Sequence, residues 1–474
     1  MGLKLWPIFI IYTERDEWMS LAKVEELVNK KREEYLETLF TLLRQKSISA
    51  QNIGMEECSK LVKNMMEEIG IETRLIETEG HPVVYGEIID DPENFTLLIY
   101  GHYDVQPADP IDEWNTPPFE PTIVDGKIYC RGAGDNKGQI TAQLLAIKTY
   151  KEVFGDLPIN LKFVIEGEEE SGSPNLAKFV EGHRELLKAD LVYTSDGPMH
   201  ESGAPFVLLG VRGMLYVELT AKGAEWDNHS GNKGNIVPNP AWKLVELLNT
   251  MKDKDGKVLI EGFYDDLRIP TENELELIST LPYDAKQLAD QIGYKGFDMT
   301  REEYYRKLTM EPTMNIAGFH SGYGGAGSKT IIPSTAMLKM DMRLVVDQDP
   351  DDIYEKLVKH VAKYAPDVEV KRHGSMKPSR TPSDAKEVSV IKQAVENAFK
   401  QPPVLQPSLG GSLPDYVWTQ ILGVPSIVVP YANFDEANHS PNENMGVENF
   451  FTGIVCTCHV IHDLAKVYSK VTTK

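Results

Sequence analysis

Cysteine is scarce in this chain: Cys58, Cys130, Cys456 and Cys458 are its four thiols among 474 residues. So few in so long a chain exclude a disulfide framework and fit a reducing, cytoplasmic setting. Cys456 and Cys458 form a C-x-C within "GIVCTCHVIHDL". That segment has the pattern of an amphipathic helix, on which positions i and i+2 do not share a face. A buried apolar role is therefore expected, and a metal pair is not. Basic residues are also in deficit, 49 Lys and Arg against 72 Asp and Glu, for a formal charge of −23. Such an excess of negative charge keeps a protein soluble and disfavours nucleic acid and anionic membranes as partners. The apolar run from Leu5 to Tyr12 is too short to span a bilayer, and "TERDEW" after it offers no small-residue cleavage site. Residues 1–18 are expected to form a loose extension, because Met19 opens a clean amphipathic helix. No internal repeat or low-complexity tract is visible.

What is present is an ordinary globular composition, 41% hydrophobic and 26% charged, in a length that favours two domains over one core. Residues 20–46 carry apolar positions at helical spacing, as does "MEECSKLVKNMMEEIG", which Gly70 closes. Strands "IETRLIE", "PVVYGEI", "FTLLIY", "INLKFVIEG" and "ADLVYTSD" then alternate with helices "NKGQITAQLLAIKTYKEVF" and "NLAKFVEGHRELLK". This is the pattern of an α/β fold with a mostly parallel sheet. Near residue 210 the character changes. "MLYVELTAKG", "TMNIAGFHSG", "TAMLKMDMRLVV" and "DVEVKRHG" alternate like strands with one open face, beside helices "NPAWKLVELLNTMKD" and "DDIYEKLVKHVAKY". After the polar connector "SMKPSRTPSDAKE" the α/β manner returns. The expected organisation is one domain of residues 1–209 and 381–474, with an α+β domain of residues 210–380 inserted in it.

In open α/β sheets, ligands bind beyond the carboxyl ends of the strands. Charged residues follow the predicted strands at His102 and Asp104, at Asp135 and Lys137, at Glu168, Glu169 and Glu170, at Asp196 and at His439. Taken singly, each has a plainer reading: a helix cap, a turn residue, a solvated acidic turn, or a hydrogen-bonded core histidine. Taken together, two histidines and several carboxylates share one sheet edge. Like charges crowded there repel unless cations neutralise them. Imidazole with carboxylate suits divalent zinc or manganese, and two ions sharing one bridging carboxylate would use the number of ligands available.

The segments "GHYDVQP", "CRGAGDNKG", "EGEEESGS", "TSDG" and "NHSPNEN" resemble, in content, order and spacing, the five signatures of the M20 metallopeptidases. The resemblance runs from residue 20 onward and is greatest to the cytosolic non-specific dipeptidase and carnosinase branch. It implies a zinc-peptidase-type catalytic domain with two divalent metal ions per subunit, zinc or manganese. By resemblance His102 and Asp196 bind one ion, Glu170 and His439 bind the other, and Asp135 bridges them. Asp104 orients the His102 imidazole, and Glu169 is the general base.

The resemblance makes the inserted domain a lid and dimerisation domain. It implies a homodimer in which His229, within "WDNHSG", acts across the interface on the partner's substrate. Thr330, Arg343, Gly411 and Ser412 would hold a substrate carboxylate, a task suited to a bidentate guanidinium. A surface ion pair is the rival reading for Arg343 in so acidic a chain. The implied activity is hydrolysis of dipeptides or short peptides with a free C-terminal carboxylate. The alternative on the same scaffold is deacylation of N-acyl amino acids, which differ in lacking a free α-amine.

Overall fold

The computed structural model describes residues 14–468, with side chains from residue 21 onward. The chain divides into two units. The first runs to Val207 and takes in Asp384–Val404 and the chain from Ile427; the second comprises Leu208–Ser383 and Leu405–Ser426.

The first unit is organised by the strand Thr96–His102, buried at every position. A continuous apolar run without alternation is what a strand covered on both faces requires. It pairs in parallel with Asn160–Glu166 on one side and Leu191–Thr194 on the other, with His102 opposite Glu166. Beyond Asn160–Glu166, the strands Val83–Ile88 and Glu72–Ile76 are added antiparallel. Among the described residues the sheet has eight strands, continuing past Leu191–Thr194 with Ser426–Val428, Phe206–Leu208 and Val404–Gln406. The fold is therefore mixed α/β with a parallel centre. In this unit the helix Val447–Tyr468 packs on both Lys137–Phe154 and Lys386–Phe399.

Val447–Tyr468 is the one helix among the described residues long and apolar enough to cross a membrane, and 78% of its most apolar stretch is buried inside the protein. It is covered on nearly all sides, whereas its sequence suggested an amphipathic helix. Cys456 and Cys458 are consequently both buried although they point in different directions. Neither belongs to a metal-ligating group among the described residues.

The second unit has a four-stranded antiparallel sheet in the order Thr313–Ser321, Thr335–Leu344, Gly213–Lys222, Glu369–Met376. Burial along Gly213–Lys222 alternates residue by residue, the sign of one covered face. Leu215, Val217, Leu219, Leu338, Met340 and Met342 form that face, and the helices Pro240–Met251 and Pro350–Tyr364 place Leu244, Leu247, Met251, Ile353, Leu357 and Val361 in the same core. Both helices start alike: Asn239 and Asp349 cap a backbone N–H two residues on, and proline occupies the first turn.

The structure departs from the sequence pattern in several places. Leu405–Ser426, expected with the first unit, groups with the second. Its backbone accepts from Arg212 N at Leu409 O and Gly411 O, and its Gln420 side chain donates to Pro378 O. The first helix begins at Glu14 instead of Met19 and breaks at Lys31 before Arg32–Arg44; residues 1–13 of the expected extension lie outside the described residues. "NLAKFVEGHRELLK" breaks at His183. The strand Lys127–Tyr129 belongs to a separate three-stranded ribbon, so Asp135 is delivered by a turn before the helix Lys137–Phe154 and not by a strand of the main sheet.

Gly101, next to His102, is held by close packing. A Cβ there would lie 2.3 Å from Ile140 Cγ2 and 2.9 Å from Asn136 Oδ1. Gly101→Ala should therefore destabilise the protein by about 1–3 kcal/mol, an overpacking cost. Urea unfolding of the two proteins checks this; an unchanged midpoint would mean that the helix yields freely.

Candidate metal centre

His102 is the last residue of the central strand, and Asp196 lies two residues past the neighbouring strand Leu191–Thr194. Parallel pairing brings these two ends to the same edge. Asp135 arrives on the turn before the helix Lys137–Phe154, and Glu169 and Glu170 open a short turn of 3₁₀ helix after Asn160–Glu166. His439 stands on the loop after Ser426–Val428 with φ of +56°, an uncommon conformation for a side-chain-bearing residue.

These residues form two groups that share Asp135. Ligand atoms of His102, Asp135 and Asp196 lie within 4.8 Å of one another, as do those of Asp135, Glu170 and His439. One oxygen of Asp135 serves each group. Oδ1 is 3.1 Å from His102 Nε2, and Oδ2 is 3.2 Å from His439 Nε2. His102 Nε2 is also 3.7 Å from Asp196 Oδ2, and His439 Nε2 is 3.1 Å from Glu170 Oε2. His102 is fully buried, while the His439 side chain is 56% exposed, so the second group is the more open.

Asp104 does more than face His102. Its Oδ1 is 3.3 Å from His102 Nδ1, and its two carboxylate oxygens accept the backbone N–H groups of Glu169 and Glu170 at 3.2 and 3.1 Å. The Asp104 backbone carbonyl is nearer still to His102 Nδ1, at 3.1 Å, and the buried carboxylate holds the turn bearing two of the acids. Glu169 itself belongs to neither ligand group.

The electrostatics of the protein groups alone are unfavourable. Burial, aided by Asp196, Glu170 and Asp135 and only partly offset by His102, holds Glu169 well above the usual carboxylate range. Burial and Asp135 push Asp196 up to about 7 and also raise Glu170. Burial alone would lower His102, but Asp104, Asp135, Asp196 and Glu169 outweigh it and raise the imidazole well above its ordinary value. Asp135 and Glu170 raise His439 to about 11. The two imidazoles overcome the burial of Asp135 and hold it low. Buried His102 Nε2 makes no well-aligned hydrogen bond among the described residues, although oxygens of Asp135 and Asp196 lie 3.1 and 3.7 Å away. An orphaned nitrogen among crowded carboxylates, with imidazole and oxygen donors and no thiolate, fits divalent cations of the zinc or manganese kind.

The remaining candidates lie in the second unit. His229 is exposed, accepts the Gly231 N–H at Nδ1 and pairs with Ile331; Thr330 is beside it, its carbonyl accepting the Ser230 N–H at 3.1 Å. Arg343 donates from Nη1 to Ser412 Oγ at 2.8 Å, and its Nε is 3.5 Å from Asp341. Gly411 accepts the backbone N–H of Arg212 at 3.2 Å. Arg343 therefore combines an acidic neighbour with a hydroxyl partner on the "LGGSLPD" loop.

Several residues escaped the sequence reading. Gln106 donates to Glu170 Oε2 at 3.0 Å, and the Asn136 side chain joins the strand end at His102 to Ser195 O. Glu166, raised to about 7 mainly by burial, accepts from Tyr100 and Ser173. Burial and the nearby Arg343 lower buried Arg212 to about 10. Glu436 and Glu443 are buried although they flank His439 in "DEANHSPNEN", where acids look solvated. Gln106 lies within "GHYDVQP", beside His102 and Asp104, whereas the two glutamates have no apolar periodicity around them that marks their burial. Lys137, by contrast, turns to the carbonyls of Leu42 and Gln45 near the end of the helix Arg32–Arg44, where a cation is favourable.

Comparison with known proteins gives the family. The pattern of Peptidase family M20/M25/M40 matches residues 98–463. The chain is similar to the Cys-Gly metallodipeptidase dug1 of Schizosaccharomyces pombe, 30% identical, with 95% of this chain and 99% of that protein covered. It is similar also to human Beta-Ala-His dipeptidase, at 28% identity with 96% of each covered. Among solved structures, the M20 family metallo-carboxypeptidase Sso-CP2 from Sulfolobus solfataricus has a TM-score of 0.86 at 38% identity, covering 92% of this chain and 99% of that one. The chain belongs to the M20 family of peptidases, and it is a metallopeptidase.

Proposed function

We propose that this protein hydrolyses dipeptides or short peptides with a free C-terminal carboxylate, using two divalent ions of zinc or manganese. The observation that carries this reading is Asp135, with one carboxylate oxygen turned to each of two histidine-containing groups. The names of the relatives, which describe dipeptidases and a carboxypeptidase, favour peptides over N-acyl amino acids. In this reading His102 and Asp196 would hold one ion, Glu170 and His439 the other, and Asp135 would contribute to both. Bound cations would supply Lewis acidity for amide hydrolysis.

Glu169 is the general base in this reading. Its raised affinity for protons suits it to take one from the attacking water and return one to the leaving amine. Asp104 keeps Glu169 and Glu170 in register through their backbone N–H groups. In the second unit, Arg343 with Ser412, Gly411 and Thr330 takes the substrate carboxylate. That unit also supports self-association. Its edge strand exposes Ile316 and Phe319, and Trp226 and Trp242 are 66% and 65% exposed. Open strand edges and exposed large apolar side chains mark interaction surfaces. In the resulting homodimer His229 would serve the partner's substrate, stabilising developing negative charge on the carbonyl oxygen.

Three experiments test this reading. With manganese or zinc, the protein should turn over dipeptides such as Ala-Ala and leave N-acetyl amino acids nearly untouched; turnover of only the acylated set would overturn the substrate assignment. Glu169→Ala should lower kcat by about 10²–10⁴-fold with metal content retained, while His439→Ala should lose about one ion per chain by elemental analysis. A Glu169→Ala protein with full rate would remove Glu169 from the mechanism. Finally, mixing inactive His229→Ala with inactive Glu169→Ala under conditions of subunit exchange should restore activity through hybrid dimers. Exchange without recovery would count against a histidine shared across the interface.

A further inference from the structure

Glu443 is fully buried on the loop that carries His439, four residues further along the chain. Its two carboxylate oxygens have different partners. Oε2 accepts from Arg131 Nη1 at 2.7 Å. Oε1 accepts three backbone N–H groups, those of Gly132, Gly134 and Asp135, each at 3.0 Å. The backbone adds a further link, with the Cys130 N–H donating to Glu443 O at 3.1 Å. Three amides aimed at one oxygen make an anion hole, and here the anion is a side chain of the same protein. Gly132, at φ +87°, permits the turn that points them inward. Arg131 is also buried, and its Nη2 donates to Pro107 O at 3.0 Å, at the end of the segment that carries His102.

The consequence reaches the metal centre through Asp135. The N–H bond at Asp135 fixes the backbone from which its two oxygens turn to His102 and His439. The same Glu443 anchors the loop from which His439 extends. We propose that Glu443, with its charge balanced by Arg131, is a positioning residue that sets the span between the two cation sites by locking the Asp135 turn to the His439 loop. This rests on the reading of Asp135 as the ligand common to both ions. Partners standing behind metal ligands orient them and commonly change metal affinity when removed.

The rival role is a buried ion pair that merely supports the fold, and the test separates the two. Glu443→Gln, Glu443→Asp and Arg131→Lys are compared with the wild type, each stripped by chelator and then titrated with manganese or zinc against a competing chelator. Melting is followed in both the metal-free and the metal-loaded form. Positioning predicts metal affinity about 10- to 100-fold weaker in Glu443→Gln, a smaller rise of Tm on metal addition, and a fall in kcat with KM little changed. Glu443→Asp, which keeps the charge, should recover part of the affinity. A purely structural pair would lower both melting temperatures together and leave the affinity within about twofold of wild type, because a ligand's stabilisation follows its affinity; that outcome overturns the proposal. Should Glu443→Gln fail to fold, Arg131→Lys decides, since it keeps the charge but loses the guanidinium's double hold, and unchanged affinity there is equally fatal. A wild type that takes up no divalent cation would overturn the metal-centre reading itself, and this inference with it.

Discussion

The structure around the active edge depends on one electrostatic constraint: buried carboxylates that have more negative charge than the surrounding protein cations can offset. Asp135 is the centre of it, between two imidazoles, with Asp196, Glu170 and Glu169 close enough to be raised by it. Desolvation and like-charge repulsion both oppose ionisation there. A hydrophobic core would have been cheaper to build at that position, so the arrangement is intelligible as a seat for cations. Around it the fold spends its rigid elements: a fully buried central strand ends in His102, its parallel neighbour leads to Asp196, and a buried helix starts beside Asp135.

The supporting residues use backbone groups more than side chains. Asp104 accepts two amides of the Glu169–Glu170 turn, and Glu443 accepts three of the Gly132–Asp135 turn. Carboxylates of this kind are expensive to bury and become tolerable only when N–H groups or a guanidinium surround them. Each satisfied carboxylate then holds a turn that has no regular secondary structure to define it. The second unit follows a simpler rule. Its antiparallel sheet places alternate residues under two helices and carries Arg343, while His229 and Thr330 lie at a separate two-stranded ribbon.

Much of this was legible in the order of residues. Apolar runs such as "FTLLIY" and "INLKFVIE" announced strands, and the parallel centre followed from their alternation with helices. Alternation in "MLYVELTAKG" announced the half-covered sheet of the second unit. The charged residues after strands included every member of both ligand groups. The errors have physical causes. Leu405–Ser426 looks like α/β sequence, but its backbone hydrogen bonds go to the second unit. "VCTC" looked amphipathic because polar residues interrupt it, yet packing against neighbouring helices buries most of the helix around it. Glu436 and Glu443 read as loop acids because burial of a charge leaves no hydrophobic periodicity behind.

The sequence by itself determined the kinds of ligand available, imidazole and carboxylate without thiolate, and their location after apolar strands, because side-chain chemistry and local periodicity are properties of the chain. It also determined the presence of a second, α+β domain whose sheet has one open face. Only the tertiary structure decided that Asp135 faces both histidines, one oxygen to each, and that Glu443 lies behind the same turn. The contacts of Asp135 with His439 and Glu443 join residues about 300 positions apart, and both electrostatic coupling and hydrogen bonding depend on separation in space, which local sequence does not encode.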